Sequence, residues 1–123
     1  IRPEQLAEIK REAEDTTAKK VLDLIKKEIS PLAISGLVED ATNLEKTASI
    51  RPEQLAEIKR EAEDTTAKKL LDLIKKEKQL GEIEEWINSA TFFQTRAWIR
   101  PSQLDEIKAA GERQRIIIKS KAT

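Results

Sequence analysis

The chain has 123 residues, a length typical of one domain, and 37% of them are charged, with 23 bases balancing 23 acids. It contains no His and no Cys, which removes the usual zinc ligands, the Ser-His-Asp and Cys-His nucleophile systems and any disulfide. No run approaches the roughly 18 apolar residues of a membrane span, and no signal-peptide core is present. We therefore expect no enzyme, no cofactor and no membrane span, with the cytoplasm as the default location.

A ten-residue segment occurs nearly three times. IRPEQLAEIK begins at Ile1 and again at Ile50, and IRPSQLDEIK begins at Ile99, so both offsets are 49 residues. A fixed period of this size is typical of repeated supersecondary units. We predict one all-α domain over 1–123, a helical-hairpin repeat of the α-solenoid or bundle type. Its parts are two 49-residue long-helix/short-helix units and a closing helix, with the boundaries 1–49, 50–98 and 99–123 (partial).

The first long helix is predicted over residues 4–29, and its copy over 53–78. Pro3 suits the first turn of a helix, and neither Gly nor Pro interrupts the predicted helix after it. Steps of three and four give one apolar stripe, formed by Leu6, Ile9, Ala13, Thr17, Val21 and Leu24. A second stripe beside it comprises Ala18, Leu22, Ile25 and Ile29. The acidic residues Glu12, Glu14 and Asp15 are expected to lie on a solvated helix face.

A short helix is predicted after each long one. Ser30 and Pro31 favour a helix start in the first copy, and Gly81 takes over that task in the second. The two sequences differ, but their apolar spacing is the same, which favours a buried stripe. In the first copy this stripe comprises Ile34, Leu37, Val38, Ala41, Leu44 and Ala48, and in the second Ile83, Trp86, Ile87, Ala90, Phe93 and Ala97.

The junctions before Pro52 and Pro101 contain no Gly, Asn or Asp. A tight turn with Pro in the first turn of the next helix fits these junctions. A continuous helix kinked at Pro also fits them, because Pro removes one backbone hydrogen bond.

The third copy departs from the repeat after its opening segment. Gly111 stands where the earlier copies have Ala, and of the three consecutive isoleucines that come later only Ile116 falls on a position expected to face inward. Terminal units of repeat arrays are atypical because they close the array. A closing helix and an array that continues past Thr123 are both compatible with this pattern.

The aromatic residues are concentrated in the second short helix and its junction. Phe92 and Trp98 stand where the first copy has Asn43 and Ser49, and Ile117 and Ile118 replace lysines. Trp and Phe are favoured anchors of protein interfaces. Phe92, Trp98, Ile117 and Ile118 are therefore a candidate surface for a protein partner or for self-association, unless they simply cover the last helix.

Four bases near the C-terminus form a candidate basic patch: Arg113, Arg115, Lys119 and Lys121. Such a segment can contact phosphate or anionic lipid, but no aromatic residue interleaves to stack on nucleotides. The favoured hypothesis is a non-enzymatic protein-binding or scaffolding module. The first alternative is a protein engineered by copying one helical segment, without a biological ligand. The second is a weak nucleic-acid or anionic-surface binder using the C-terminal bases.

Overall fold

The computed structural model describes residues 1–28 and 30–122, and these residues form five helices. In chain order they are α1 (Pro3–Lys27), α2 (Pro31–Lys46), α3 (Pro52–Lys76), α4 (Leu80–Thr95) and α5 (Pro101–Ala122). The described residues contain no strand, so the all-α prediction is confirmed. The predicted position Ile29 lies outside the described residues.

Two compact units divide the chain, one of residues 1–62 and one of residues 63–123. The first contains α1, α2 and the first half of α3, and the second contains the rest of α3, α4 and α5. Each unit has its own core. The first core contains Ala18, Val21, Ile25, Ile34, Ala41, Ile50, Ile58 and Ala62. The second contains Ala67, Leu70, Ile74, Ala90, Ile99, Leu104, Ile107 and Ala110.

Only the second half of α1 lies in a core. Ala18, Val21 and Ile25 are buried as predicted. The prediction is wrong for Leu6, Ile9, Ala13 and Leu24, which are exposed. The first three belong to the first half of the helix, and their counterparts in α3 contact the second half of α1 and α2. No described segment takes that place beside the first half of α1.

The long helices end at an acid. In the first unit Glu28 Oε1 accepts the Ser30 N–H at 3.2 Å, and in the second Glu77 Oε1 accepts the N–H groups of Lys78 and Gln79 at 2.9 and 3.1 Å. These two backbone hydrogen bonds lower the pKa of the Glu77 carboxyl. The expected role of Gly81 as the break is wrong, since α4 already begins at Leu80.

The chain turns at both junctions, so the turn interpretation is confirmed. Ala48 and Ala97, predicted as stripe residues, are instead exposed and adopt left-handed conformations with φ of 59° and 60°. The Ser49 N–H binds the Leu44 carbonyl at 2.8 Å and the Ala48 N–H binds the Glu45 carbonyl at 3.0 Å. This pair of bonds is the Schellman arrangement, which satisfies carbonyls at a helix end and usually has Gly at the left-handed position.

Replacing these alanines by glycine should stabilise the fold. A left-handed L-residue carries a steric cost of roughly 1–2 kcal/mol that Gly avoids, offset in part by the larger conformational entropy of Gly in the unfolded chain. We expect Ala97→Gly to raise the free energy of unfolding by about 0.5–1 kcal/mol in urea titrations. Ala90→Gly, at a buried helical position, is the control and should lower it. A loss of stability in Ala97→Gly would contradict the left-handed turn.

Gly111 and Ile87 fit each other. A Cβ added at Gly111 would lie 2.7 Å from Ile87 Cδ1. One period earlier the same two positions hold Ala62 and Val38, which belong to the first core and its margin. The methyl group missing at Gly111 is thus offset by the extra methyl of Ile87, which conserves core volume.

The expectation that Ile116 faces inward is wrong, because its side chain is 62% exposed. Its counterparts Ala18 and Ala67 are buried by the short helix and the helix start that come after them. Among the described residues, no such elements cover Ile116.

Candidate docking face on the first helix

A clamp of two side chains joins the start of α3 to the middle of α1. Arg51 Nη1 binds Glu14 Oε1 at 3.0 Å, and Arg51 Nη2 binds Asp15 Oδ1 at 2.8 Å. Gln54 Oε1 accepts the Arg51 backbone N–H at 2.9 Å, while Gln54 Nε2 donates to Asp15 Oδ1 at 2.9 Å. The carboxamide therefore caps its own helix and binds the neighbouring one at the same time.

The second unit contains the same clamp. Arg100 binds Glu63 at 3.0 Å and Asp64 at 2.7 Å. Gln103 accepts the Arg100 backbone N–H at 2.8 Å and donates to Asp64 at 3.0 Å. Charge-assisted contacts from one guanidinium to two acids fix the orientation of the helices that carry them.

Apolar burial accompanies each clamp. Ile50 and Ile99, the residues just before the two arginines, are each 1% exposed, and Ile58 and Ile107 are fully buried. The opening segment IRPxQLxxIK therefore supplies one docking face. Its isoleucines and leucine enter a core made by the preceding helices, while its arginine and glutamine bind the acids.

The two acids of the clamp differ in exposure: Glu14 departs from the expected solvated face, whereas Asp15 is exposed as expected. The Glu14 side chain is 12% exposed, and Asp15 accepts hydrogen bonds from Arg51 and Gln54. The hydrogen bond from Arg51 is the largest cause of a lowered pKa of the Asp15 carboxyl. Glu12 and Asp15, both exposed, fit the expectation.

The lowered pKa predicts how the contribution of Asp15 depends on pH. A carboxyl whose pKa is depressed by folding stabilises the folded state above its unfolded pKa, and this contribution disappears as the pH falls through the folded value. We expect the stability difference between the parent and Asp15→Asn to be constant near neutral pH. It should close as the pH falls below about 3.8, the ordinary value of this group. Urea titrations at a series of pH values measure it, and a difference that persists at the acid extreme would contradict the clamp.

Within the described residues, the same segment at the start of α1 binds no acid pair and belongs to neither core. Here the docking face comprises Ile1, Arg2, Gln5, Leu6 and Ile9, all of them exposed. Ile1 is 95% and Ile9 56% exposed, against 1% and 0% for their counterparts Ile50 and Ile58. Gln5 already caps the helix, since its Oε1 accepts the Arg2 N–H at 3.0 Å. Among the described residues no carboxylate lies within ion-pair distance of the Arg2 guanidinium, and a groove of about 410 Å³ runs beside Gln5, Glu8 and Ile9.

The aromatic residues predicted as a partner surface form a cluster at the end of α4. The Trp98 ring lies 6.1 Å from the ring of Phe92, nearly perpendicular to it, and 5.2 Å from that of Phe93. Arg96 covers one side of Phe92, with Cζ 5.1 Å from the ring centroid. Phe92 is nevertheless 47% exposed, whereas Trp98 is half-buried.

Ile117 and Ile118 lie at the other end of the α4–α5 pair. The Gln114 side chain donates to the Glu77 carbonyl at 2.7 Å, which fixes the last turns of α5 beside the segment that leads into α4. Ile117 and Ile118 line a groove of about 460 Å³ there, together with Lys78 and Lys121. The structure thus does not bring the four predicted residues into one surface. Packing of Trp98 against residues 116–118 does not occur, because Trp98 precedes the first turn of α5 and 117 lies about 24 Å further along the helix.

The four C-terminal bases do not form one patch. Arg115 is paired with Glu84 and Glu112. At 100° per residue, Arg113 and Lys121 point away from the side of α5 that carries Arg115 and Lys119. A continuous basic surface for phosphate is therefore absent from this helix as described.

No group of three or more potential metal-ligating side chains occurs within residues 1–28 and 30–122. None of the helices described is both long and apolar enough to cross a membrane.

Sequence reasoning missed the clamp, although the repeat carried a signal for it. The third copy changes two of ten residues in the opening segment, at Ser102 and Asp105, and retains the arginine and the glutamine. Partners 36 to 39 residues away in the chain cannot be found from helical spacing, which links only residues three or four apart.

Because comparisons with known proteins found no match, a function can be proposed only from the fold and the clamp. No protein-family model, no curated protein and no solved structure matches the chain.

Proposed function

We propose that this chain is a non-enzymatic helical-repeat protein that binds other proteins, as a binding or scaffolding module. The observation that carries the proposal is the docking face on α1. The same residues are core in α3, so their side chains are suited to a protein surface rather than to water. Contiguous exposed apolar side chains rimmed by polar ones mark interaction sites.

The docking face offers apolar area for affinity and polar groups that would orient a bound partner. Ile1, Leu6 and Ile9 offer apolar area, which stabilises a complex by roughly 25 cal/mol per Å² removed from water. Arg2 offers a planar guanidinium suited to carboxylates, and Gln5 holds the backbone beside it. Binding through this face would repeat contacts that the protein makes twice internally.

The aromatic cluster is the second surface in this proposal. Phe92 exposes an apolar ring beside Arg96 and Trp98. Aromatic residues and arginine are enriched at interface centres. Together, a face in the first unit and a cluster in the second are what a scaffolding protein with two attachment points needs.

Site-directed crosslinking tests the proposed function. The chain has no cysteine, so Leu6→Cys provides a single thiol for a photoreactive maleimide on the docking face. Arg11→Cys is the matched control, since at 100° per residue it points away from Leu6 and Ile9. In extracts of cells that express the chain, we expect a discrete protein adduct from position 6 and none from position 11.

Competition decides whether the adduct is specific. An excess of unlabelled parent should abolish it, and an excess of the double variant Leu6→Lys/Ile9→Lys should not. Adducts that form equally from both positions, or that no competitor removes, would contradict protein binding through this face.

A further inference from the structure

The docking face on α1 fits one particular kind of partner, and the inference rests on the proposed function. We propose that its occupant is one more unit of this same repeat, placed ahead of Ile1 and carrying an adjacent Glu-Asp pair in its long helix. The occupant is thus defined by chemistry already present twice in the chain. Its acids would bind Arg2 and Gln5, and its apolar side chains would cover Ile1, Leu6 and Ile9.

The two occupied copies show what the partner must offer. In both clamps the arginine reaches two acids that are neighbours in sequence, and the glutamine binds the second of them. The corresponding distances in the two clamps agree within 0.1 Å. The apolar complement is also the same, namely a long-helix segment and a short helix whose buried residues include Ile25 and Ile34 or Ile74 and Ile83. Identical opening segments at Ile1 and Ile50 therefore predict identical complements.

The free copy is already arranged for such a partner. Gln5 Oε1 accepts the Arg2 N–H at 3.0 Å, as Gln54 and Gln103 do with their own arginines at 2.9 and 2.8 Å. The cap thus forms without the acids, and the Gln5 amide group is held beside Arg2. Only the partner's carboxylates and its apolar surface are missing from the arrangement.

A second copy of this chain cannot supply them. Its Glu14-Asp15 and Glu63-Asp64 pairs are engaged by Arg51 and Arg100. In the third copy of the repeat, the residues that correspond to Glu14 and Asp15 are Glu112 and Arg113. A cation therefore stands where Arg2 requires an anion. The next core positions, held by Val21 and Leu22 in the first copy, are Lys119 and Ser120 in α5. The end of α5 is therefore closed to this docking face, and the face selects a unit whose acid pair is intact.

A chain extended by one unit tests the proposal. Residues 1–49 are fused ahead of Ile1 of the otherwise full chain, and Ile9→Cys of the original segment gives a single thiol. We expect this thiol to react with a maleimide at least about 100-fold more slowly than the same thiol in the chain without the added unit, since exposure then requires opening of a packed interface. The matched control carries Glu14→Lys and Asp15→Lys in the added unit only, and there the protection should fall to less than about 10-fold.

Three results would overturn the inference. The thiol could react at the parent rate in the extended chain, or the charge-reversed unit could protect it equally well. Protection of the position-9 thiol in the unextended variant that rises with protein concentration would identify a second copy as the occupant. These results can be told apart from a failure of the proposed function. If position 6 gives a specific adduct but the position-9 thiol stays unprotected in the extended chain, protein binding through this face still holds. Only the repeat unit is then rejected as the partner.

Discussion

Ile58→Ala and Ile107→Ala should each lower the free energy of unfolding by about 2–4 kcal/mol, whereas Ile9→Ala should change it by no more than about 0.5 kcal/mol. The three residues occupy the same position of the repeat, and the same atoms are removed at each. Ile58 and Ile107 are fully buried and Ile9 is 56% exposed. Only the first two substitutions create a cavity, and at the exposed site the better helix propensity of Ala offsets lost contacts.

Urea unfolding followed by far-ultraviolet circular dichroism measures this series. Lys10→Ala, an exposed substitution in the same helix turn as Ile9, is the control for helix propensity alone. Equal losses at positions 9, 58 and 107 would show that the start of α1 is covered as the other two copies are. Small changes at all three would show that the stripe is not a core.

Trp98→Ser should lower the free energy of unfolding by about 2 kcal/mol, and the loss should not depend on protein concentration. Serine is the residue at this position in the first copy, so the turn tolerates it. The loss arises because Trp98 packs against both Phe92 and Phe93. Phe92→Asn also restores a first-copy residue, but its ring is 47% exposed, so we expect a loss below about 1 kcal/mol.

Thermal unfolding at several protein concentrations separates packing within the chain from packing between chains. A melting temperature of the parent that rises with concentration, and ceases to do so in Phe92→Asn, would assign the aromatic cluster to self-association. An unchanged stability of Trp98→Ser would instead show that the cluster does not stabilise the fold.

The helices could be predicted because periodic apolar residues, prolines in first turns and the scarcity of Gly are local signals. The exposure of Ile9 could not, because residues 1–28 and 50–77 are almost identical and only their surroundings differ. The helices that precede Ile50 in the chain supply its core, and no pattern within the segment itself states that. The same first-half sequence is therefore exposed in α1, whereas in α3 its apolar stripe is buried.

The left-handed turns and the clamp could not be predicted from the sequence, for different reasons. Ala48 and Ala97 adopt a left-handed conformation, for which alanine has no intrinsic preference, so the residue type gave no signal for these turns. The sequence around Glu14 and Asp15 is typical of a solvated helix face. They become clamp residues because Arg51, which follows α2 in the chain, binds both of them. Comparison of the repeat copies identified the aromatic residues as candidate surface residues. It could not place them relative to Ile117 and Ile118.

Thiol labelling of the parent fold tests most directly that one copy of the docking face is open and two are filled. Ile9→Cys, Ile58→Cys and Ile107→Cys each introduce the only thiol of the chain. We expect the thiol at position 9 to react with a maleimide within a few-fold of the rate of an unfolded peptide, and the thiols at positions 58 and 107 to react at least about 100-fold more slowly. Equal protection of all three thiols, or rapid labelling at position 58, would contradict an open first copy and a filled second one.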